Sequence, residues 1–248
     1  MIKKIPIVLL SAAFAYGFPF VVVKRYGAWL EDSKSFRLRR IDVKGNAMVD
    51  RSEILRLAGI PARRRLWSVD LRAAERRLRE NPFVRDVRVV RHFPDRLAVE
   101  VEERKPLALL NANGTFYALD RESVLLPAAP GKCYTLPILS CPVPQRLAYG
   151  RTVRHPDIER GMQFLLALLA DRPVVIAGIS ELRPAGPDGL ILYTAQGGIP
   201  VWMGTDGYAW KIRTLEALFQ EMEQDRSLAG ASYIDLRFEW RVFVGMWA

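Results

Sequence analysis

Nineteen consecutive residues, Ile5 to Val23 (IPIVLLSAAFAYGFPFVVV), carry no charge. As a helix such a run spans roughly 28 Å, about one bilayer core. It has no polar face, which argues against an amphipathic core helix. Pro6, Gly17 and Pro19 are tolerated in a membrane helix. Lys3 and Lys4 precede the run, and Lys24 and Arg25 follow it, so flanking charge orients it only weakly. A leader of residues 1–4 has nothing to translocate. The expectation is therefore a cytoplasmic leader (1–4), a transmembrane helix (5–23), a linker (24–35) and an exported remainder. A cleaved signal peptide is the rival. Ala13-Phe14-Ala15 fits a small-x-small site, but the apolar run continues well past that cut.

The formal net charge of the 248-residue chain is +10, and it is unevenly spread. Lys34 to Arg104 holds 19 Lys/Arg against 11 Asp/Glu, whereas Lys105 to Ala248 holds 14 of each. The plain reading of the basic segment is a solvated, Arg-rich surface. The sharper one is an anionic partner. Arg63-Arg64-Arg65 poses the same choice: a solvated loop, or contact with an acidic partner or lipid headgroups. Nucleic acid is not expected, because an exported domain rarely meets it.

Recognisable chemistry is missing from the sequence. The two histidines, His92 and His155, form no HExxH pair, and no Walker A, GxGxxG or GxSxG element occurs. Both histidines read as solvated loop residues. No catalytic residue, cofactor or metal is expected. Cys133 and Cys141 make neither a disulfide framework nor a zinc pattern; outside the cytoplasm the two can pair as a disulfide.

From Phe36 to Arg104 the pattern reads βααββ. Ile41 and Val43 lie two apart on a strand that ends at Gly45-Asn46. Asp50 with Glu53 forms a capping box for a first helix, closed by Gly59 and Pro61. Asp70 caps a second, with Leu71, Ala74 and Leu78 at helical spacing, and Trp67 is expected to pack on it. Val87 and Val89 share a strand face, and after the turn Phe93-Pro94-Asp95 the residues Leu97, Val99 and Val101 alternate with polar or small neighbours. Beyond Pro106 the chain is rich in strands. Asn113-Gly114 and Gln196-Gly197-Gly198 mark hairpins. His155-Pro156-Asp157 opens a helix bearing Ile158, Met162, Leu165 and Leu169, and another helix carries Trp210, Leu215, Leu218 and Met222. The strand Tyr233-Ile234-Asp235-Leu236-Arg237-Phe238 and then Val242-Phe243-Val244 complete the order.

Five short motifs fall in one order and spacing: Ile41-Asp42-Val43-Lys44-Gly45-Asn46, Leu66-Trp67-Ser68-Val69-Asp70, Asn81-Pro82-Phe83-Val84, Phe93-Pro94-Asp95-Arg96-Leu97, and Val101-Glu102-Glu103-Arg104-Lys105-Pro106. Together they resemble a POTRA domain. Asn111 to Asp120, Trp202-Met203-Gly204 followed by Lys211, and Tyr233 to Phe238 resemble the second exported domain of the FtsQ/DivIB family of bacterial cell-division proteins. The resemblance implies an α+β chain: the transmembrane helix, a βααββ POTRA domain (36–104), then a mixed β-rich domain (105–248) with an antiparallel sheet and flanking helices.

It further implies a non-enzymatic divisome scaffold without cofactors, held single-pass in the inner membrane, with its bulk in the periplasm and recruited to the septum. The implied partners are FtsB and FtsL through the C-terminal domain, upstream division proteins through the POTRA domain, and membrane lipid. In the family FtsB adds a strand to the edge near the C-terminus, with an aromatic lock and a nearby Arg. Carried over, Arg237 and Phe238 match directly, and Arg241 to Met246 is the receiving strand. Met246 or Trp247 supplies a second apolar contact, and Arg183 lies on a neighbouring surface. Where relatives have small residues in the turn, this chain has Glu239-Trp240. With Phe238, Trp240, Phe243 and Trp247 so close together on alternating strands, at least one aromatic should be exposed or covered by a partner. The alternative is a periplasmic POTRA-containing chaperone or secretion component.

Overall fold

The computed structural model describes residues 36–61, 64–128, 135–143, 146–225 and 230–246. The Ile5 to Val23 run with its flanks Lys3, Lys4, Lys24 and Arg25, and also Arg63, Cys133 and Trp247, lie outside the described residues. Among the described residues no helix is long and apolar enough to cross a membrane. The chain divides into two compact units, with the boundary between Glu103 and Arg104.

The first unit is a three-stranded sheet with two helices. β1 (Arg40–Lys44) runs parallel to β3 (Arg96–Glu103), and β2 (Val84–His92) pairs antiparallel on the other side of β3. Val87 stands opposite Val101 and Val89 opposite Val99, as period-two alternation requires. These valines bury against Ile54 and Ala58 of α1 (Arg51–Ala58) and Ala74 and Leu78 of α2 (Leu71–Arg79). Gly45 is needed where it stands. Its φ is +83°, and a β-carbon there would strike the carbonyl oxygen of Val101.

Asp70 caps α2 by accepting the Ala73 amide at 3.0 Å. The expected capping box on α1 does not form. Asp50 stands at the N-cap with extended backbone but its side chain caps nothing, and Glu53 pairs with Arg56 instead. The amides of Ala47, Met48 and Val49, just ahead of α1, donate to the Glu103 carboxylate at 2.9, 2.6 and 2.9 Å. A residue more than fifty positions away thus satisfies the donors of that loop. His92 ends β2 as an exposed strand residue opposite Arg96, not in a loop.

The second unit is one nine-stranded sheet in the order β12-β11-β10-β9-β8-β7-β4-β5-β6. The strands are β4 (Pro106–Ala112), β5 (Thr115–Asp120), β6 (Leu125–Leu126), β7 (Ile138–Ser140), β8 (Ile179–Pro184), β9 (Leu190–Thr194), β10 (Pro200–Gly204), β11 (Ala231–Asp235) and β12 (Phe243–Met246). Asn113 and Gly114 turn the β4–β5 hairpin with φ of +53° and +86°, the left-handed pair such a two-residue loop demands.

The sheet is mixed where an antiparallel one was expected. α3 (Pro156–Asp171) lies between β7 and β8 and α4 (Tyr208–Asp225) between β10 and β11, and both strand pairs are parallel. Joining parallel neighbours takes a crossover long enough to return the chain to the starting edge, and each helix supplies one. Phe164, Leu165 and Leu168 of α3 and Ile212 and Leu215 of α4 bury in the same core as Leu110, Leu139, Leu182 and Val201 of the sheet.

Candidate protein-docking edge

The end of the second unit begins with a buried carboxylate. Asp235 is 6 % exposed at the close of β11. It accepts the Arg237 amide at 2.9 Å and the Arg237 guanidinium through Nε at 3.0 Å and Nη2 at 2.7 Å. Burial works to raise this carboxyl, but the hydrogen bonds from Arg237 outweigh it and hold it below the usual carboxylate range. Arg237 also reaches Asp188 at 3.3 Å and lies over the Trp202 ring at 4.8 Å. Close by, the Lys211 ammonium is buried and donates to the carbonyls of Met203 and Asp206 at 2.6 and 2.7 Å. Burial pushes its pKa down. The direction in which the chain leaves β11 is therefore fixed by charge-assisted bonds.

Beyond Arg237 large apolar side chains stand exposed. Phe238 is 53 % exposed and packs edge-on against Phe243 at 5.3 Å. The chain turns at Glu239-Trp240, where the Arg241 amide donates to the Phe238 carbonyl. Trp240 takes φ +58°, a left-handed conformation that costs a non-glycine residue about 1–2 kcal/mol. Its ring stacks on Trp210 at 5.7 Å yet stays 70 % exposed.

β12 then pairs antiparallel with β11 and ends the sheet. Phe243, Val244 and Met246 are exposed on it, and no charge or proline falls within Phe243–Met246. Soluble proteins blunt a free edge with such residues or cover it. The opposite end of this sheet is covered: β6 is two buried leucines, and Leu125 exchanges backbone hydrogen bonds with Gly150 and Arg151.

Of the residues singled out from sequence, the structure gathers Arg237, Phe238, Trp240 and Met246 at this edge. Arg183 is set apart. It lies on β8, four strands from β12, or roughly 19 Å at ordinary strand spacing. There it pairs with Glu181 and covers the Tyr193 ring. Asp235 and Asp188 are not among the site residues named from sequence; the signal available was the i, i+2 spacing of Asp235 and Arg237 within the run expected as a strand, which in the structure ends at Asp235.

A second cluster joins Cys141, His155 and Asp157, whose donor atoms lie within 4.8 Å of one another. His155 is half-buried, not a solvated loop residue: its Nδ1 accepts the Asp157 amide as the N-cap of α3 and stands 3.6 Å from Cys141 Sγ. The Asp157 carboxylate faces Arg160 at 3.3 Å. Two of the three donors are thereby engaged. Cys141 is a free, buried thiol, and burial pushes it up to about 11, far from a reactive thiolate.

Residues 36–104 match the family model described as POTRA domain, FtsQ-type, and residues 108–237 match that of Cell division protein FtsQ/DivIB, C-terminal. The chain belongs to the FtsQ/DivIB family. Among its relatives, the cell division protein FtsQ of Syntrophotalea carbinolica is 31 % identical over 88 % of this chain and 77 % of its own length. That of Geobacter sp. (strain M21) is 28 % identical over 88 % and 81 %. That of Streptomyces bingchenggensis is 31 % identical over 77 % and 72 %. As an FtsQ/DivIB protein the chain has a place in the bacterial division machinery. The FtsQ/DivIB C-terminal match stops at Arg237, so Phe238, the Glu239-Trp240 turn and β12 lie beyond the matched stretch.

Proposed function

We propose that this protein is a non-enzymatic divisome scaffold, held by residues 5–23 in the cytoplasmic membrane with its two units outside, and that the free edge of β12 receives an extended segment of FtsB. One observation carries the reading. Among the described residues the sheet ends on a strand with exposed apolar side chains and no protective charge or proline, while its other end is covered. Adding a strand there satisfies backbone groups that β11 does not reach, and it covers Phe238, Phe243 and Met246. Arg237 then acts as a strut, holding the edge in position through Asp235 and Asp188. The division into leader 1–4, anchor 5–23, linker 24–35, POTRA domain 36–104 and β domain 105–248 belongs to the same proposal, as do FtsL as a joint partner and upstream division proteins on the POTRA domain. So does recruitment to the septum.

The test is a photo-crosslinking phenylalanine analogue placed at Val244 in the full chain in dividing cells, with the same analogue at Phe116, an exposed position elsewhere on the unit, as control. Crosslinking to FtsB from position 244 and not from 116 supports the reading. Crosslinking from neither, with the protein still gathered at midcell, removes the edge from the account.

A further inference from the structure

One end of the first unit carries a patch that the edge on β12 leaves unexplained. Phe36, Trp67 and Phe93 form an aromatic trio with ring centroids 4.8, 6.5 and 5.9 Å apart. Trp67 is half-buried between the two phenylalanine rings, and its Nε1–H is buried without a partner among the described residues. Phe93, at the tip of the β2–β3 turn, is 64 % exposed.

The same end is densely basic. Arg37 and Arg65 face each other across a backbone bridge, and the Leu38 amide donates to the Arg64 carbonyl. The Arg39 amide donates to the Asp95 carbonyl beside Phe93. Backbone bonds therefore place Arg37, Arg39, Arg64, Arg65 and Arg96, all exposed, around the trio. Asp95 is the acid among them, 3.9 Å from Arg39 and 3.7 Å from Arg96.

We infer that this end of the first unit docks on an anionic lipid surface, with Phe93 and its neighbouring rings at the headgroup level and the arginines on lipid phosphates. Aromatic rings beside cations are the chemistry that settles at a bilayer interface. The tether is short enough to permit it. Twelve residues separate Val23 from Phe36, a reach of at most about 45 Å when fully extended. Phe36, the first described residue, is itself a member of the trio. The inference rests on the proposal that residues 5–23 are a membrane anchor.

The test uses the full chain in nanodiscs, with 4-trifluoromethylphenylalanine at position 93 and, separately, at position 116. The discs hold a trace of gadolinium-chelate lipid in phosphatidylcholine alone, or in phosphatidylcholine with about one-third phosphatidylglycerol. A basic residue near an anionic surface multiplies partitioning about fivefold, so Arg37→Gln with Arg64→Gln should weaken docking about 25-fold. The expected result is broadening of the fluorine line at 93, not at 116, in the anionic discs, reversed by salt and by the double substitution. A chain retained in both discs with no charge-dependent broadening overturns this inference and leaves the anchor standing. A chain retained in neither overturns both. Broadening at 93 that is equal in the two lipids, or a shift that appears only after division proteins are added, also overturns it.

Discussion

Phe238→Ala is the most direct perturbation of the β12 edge. About half of this residue is exposed. A phenylalanine presents roughly 200 Å², so about 100 Å² remains for a partner to cover. At about 25 cal/mol per Å² that area is worth up to about 2.5 kcal/mol, or about 70-fold in affinity. The hot-spot threshold of about 1–2 kcal/mol sets a floor near tenfold. The other half of the ring packs on Phe243, so some loss in the free chain is expected too. The assay is fluorescence anisotropy of a labelled FtsB segment titrated with the full chain in nanodiscs, alongside thermal unfolding. Phe238→Ala should weaken binding about 10- to 70-fold, while Arg183→Ala, four strands away, should change it less than about twofold. Unchanged affinity in Phe238→Ala, with the edge still folded, would refute the reasoning.

Trp240→Gly should leave the protein about 1 kcal/mol more stable than Trp240→Ala, because glycine accepts the positive φ freely; paired urea titrations check this. Arg104→Ala should be costly. Arg104 donates to Asp120, a carboxylate only 2 % exposed, at 2.6 Å; removing it leaves that buried charge only the amides of Glu122 and Val124, at a cost of about 3 kcal/mol; the melting temperature reads it. Asp235 gives a pH test. Its folded pKa lies below the unfolded value of about 3.9, so its contribution is fully present above that value and lost as acid takes the pH through the folded pKa. Asp235→Asn should melt lower at neutral pH and show a shallower fall in stability below about pH 4 than the parent.

Much of the fold was legible where the determining physics is local. The Asn113-Gly114 turn, the Asp70 cap, the His155-Pro156 helix start and the αL closure at Gly59 each depend on residues a few positions apart. What escaped is non-local. Glu103 takes up the amides of 47–49 from more than fifty positions away, and Glu53 is drawn to Arg56 rather than back to Asp50. The parallel pairing of β10 with β11 depends on where α4 returns the chain, which the periodicity of α4 does not encode. The edge residues themselves were visible as a dense aromatic tail, and the family resemblance pointed to them. Which side of β12 is free depends on the order of nine strands. Arg183 comes in through the family resemblance alone, as a residue on a neighbouring surface. Four intervening strand spacings separate it from β12.

Hydrogen exchange of the Phe243–Met246 amides in the full chain, with and without a saturating FtsB segment, bears most directly on the central claim. In an antiparallel edge strand, alternate residues direct their N–H groups away from the neighbouring strand. Those amides should exchange at near-solvent rates in the free protein and slow at least about tenfold once a partner strand pairs with them. Bound partner with no slowing of those outward-facing amides, or the same amides already protected in its absence, would contradict the account.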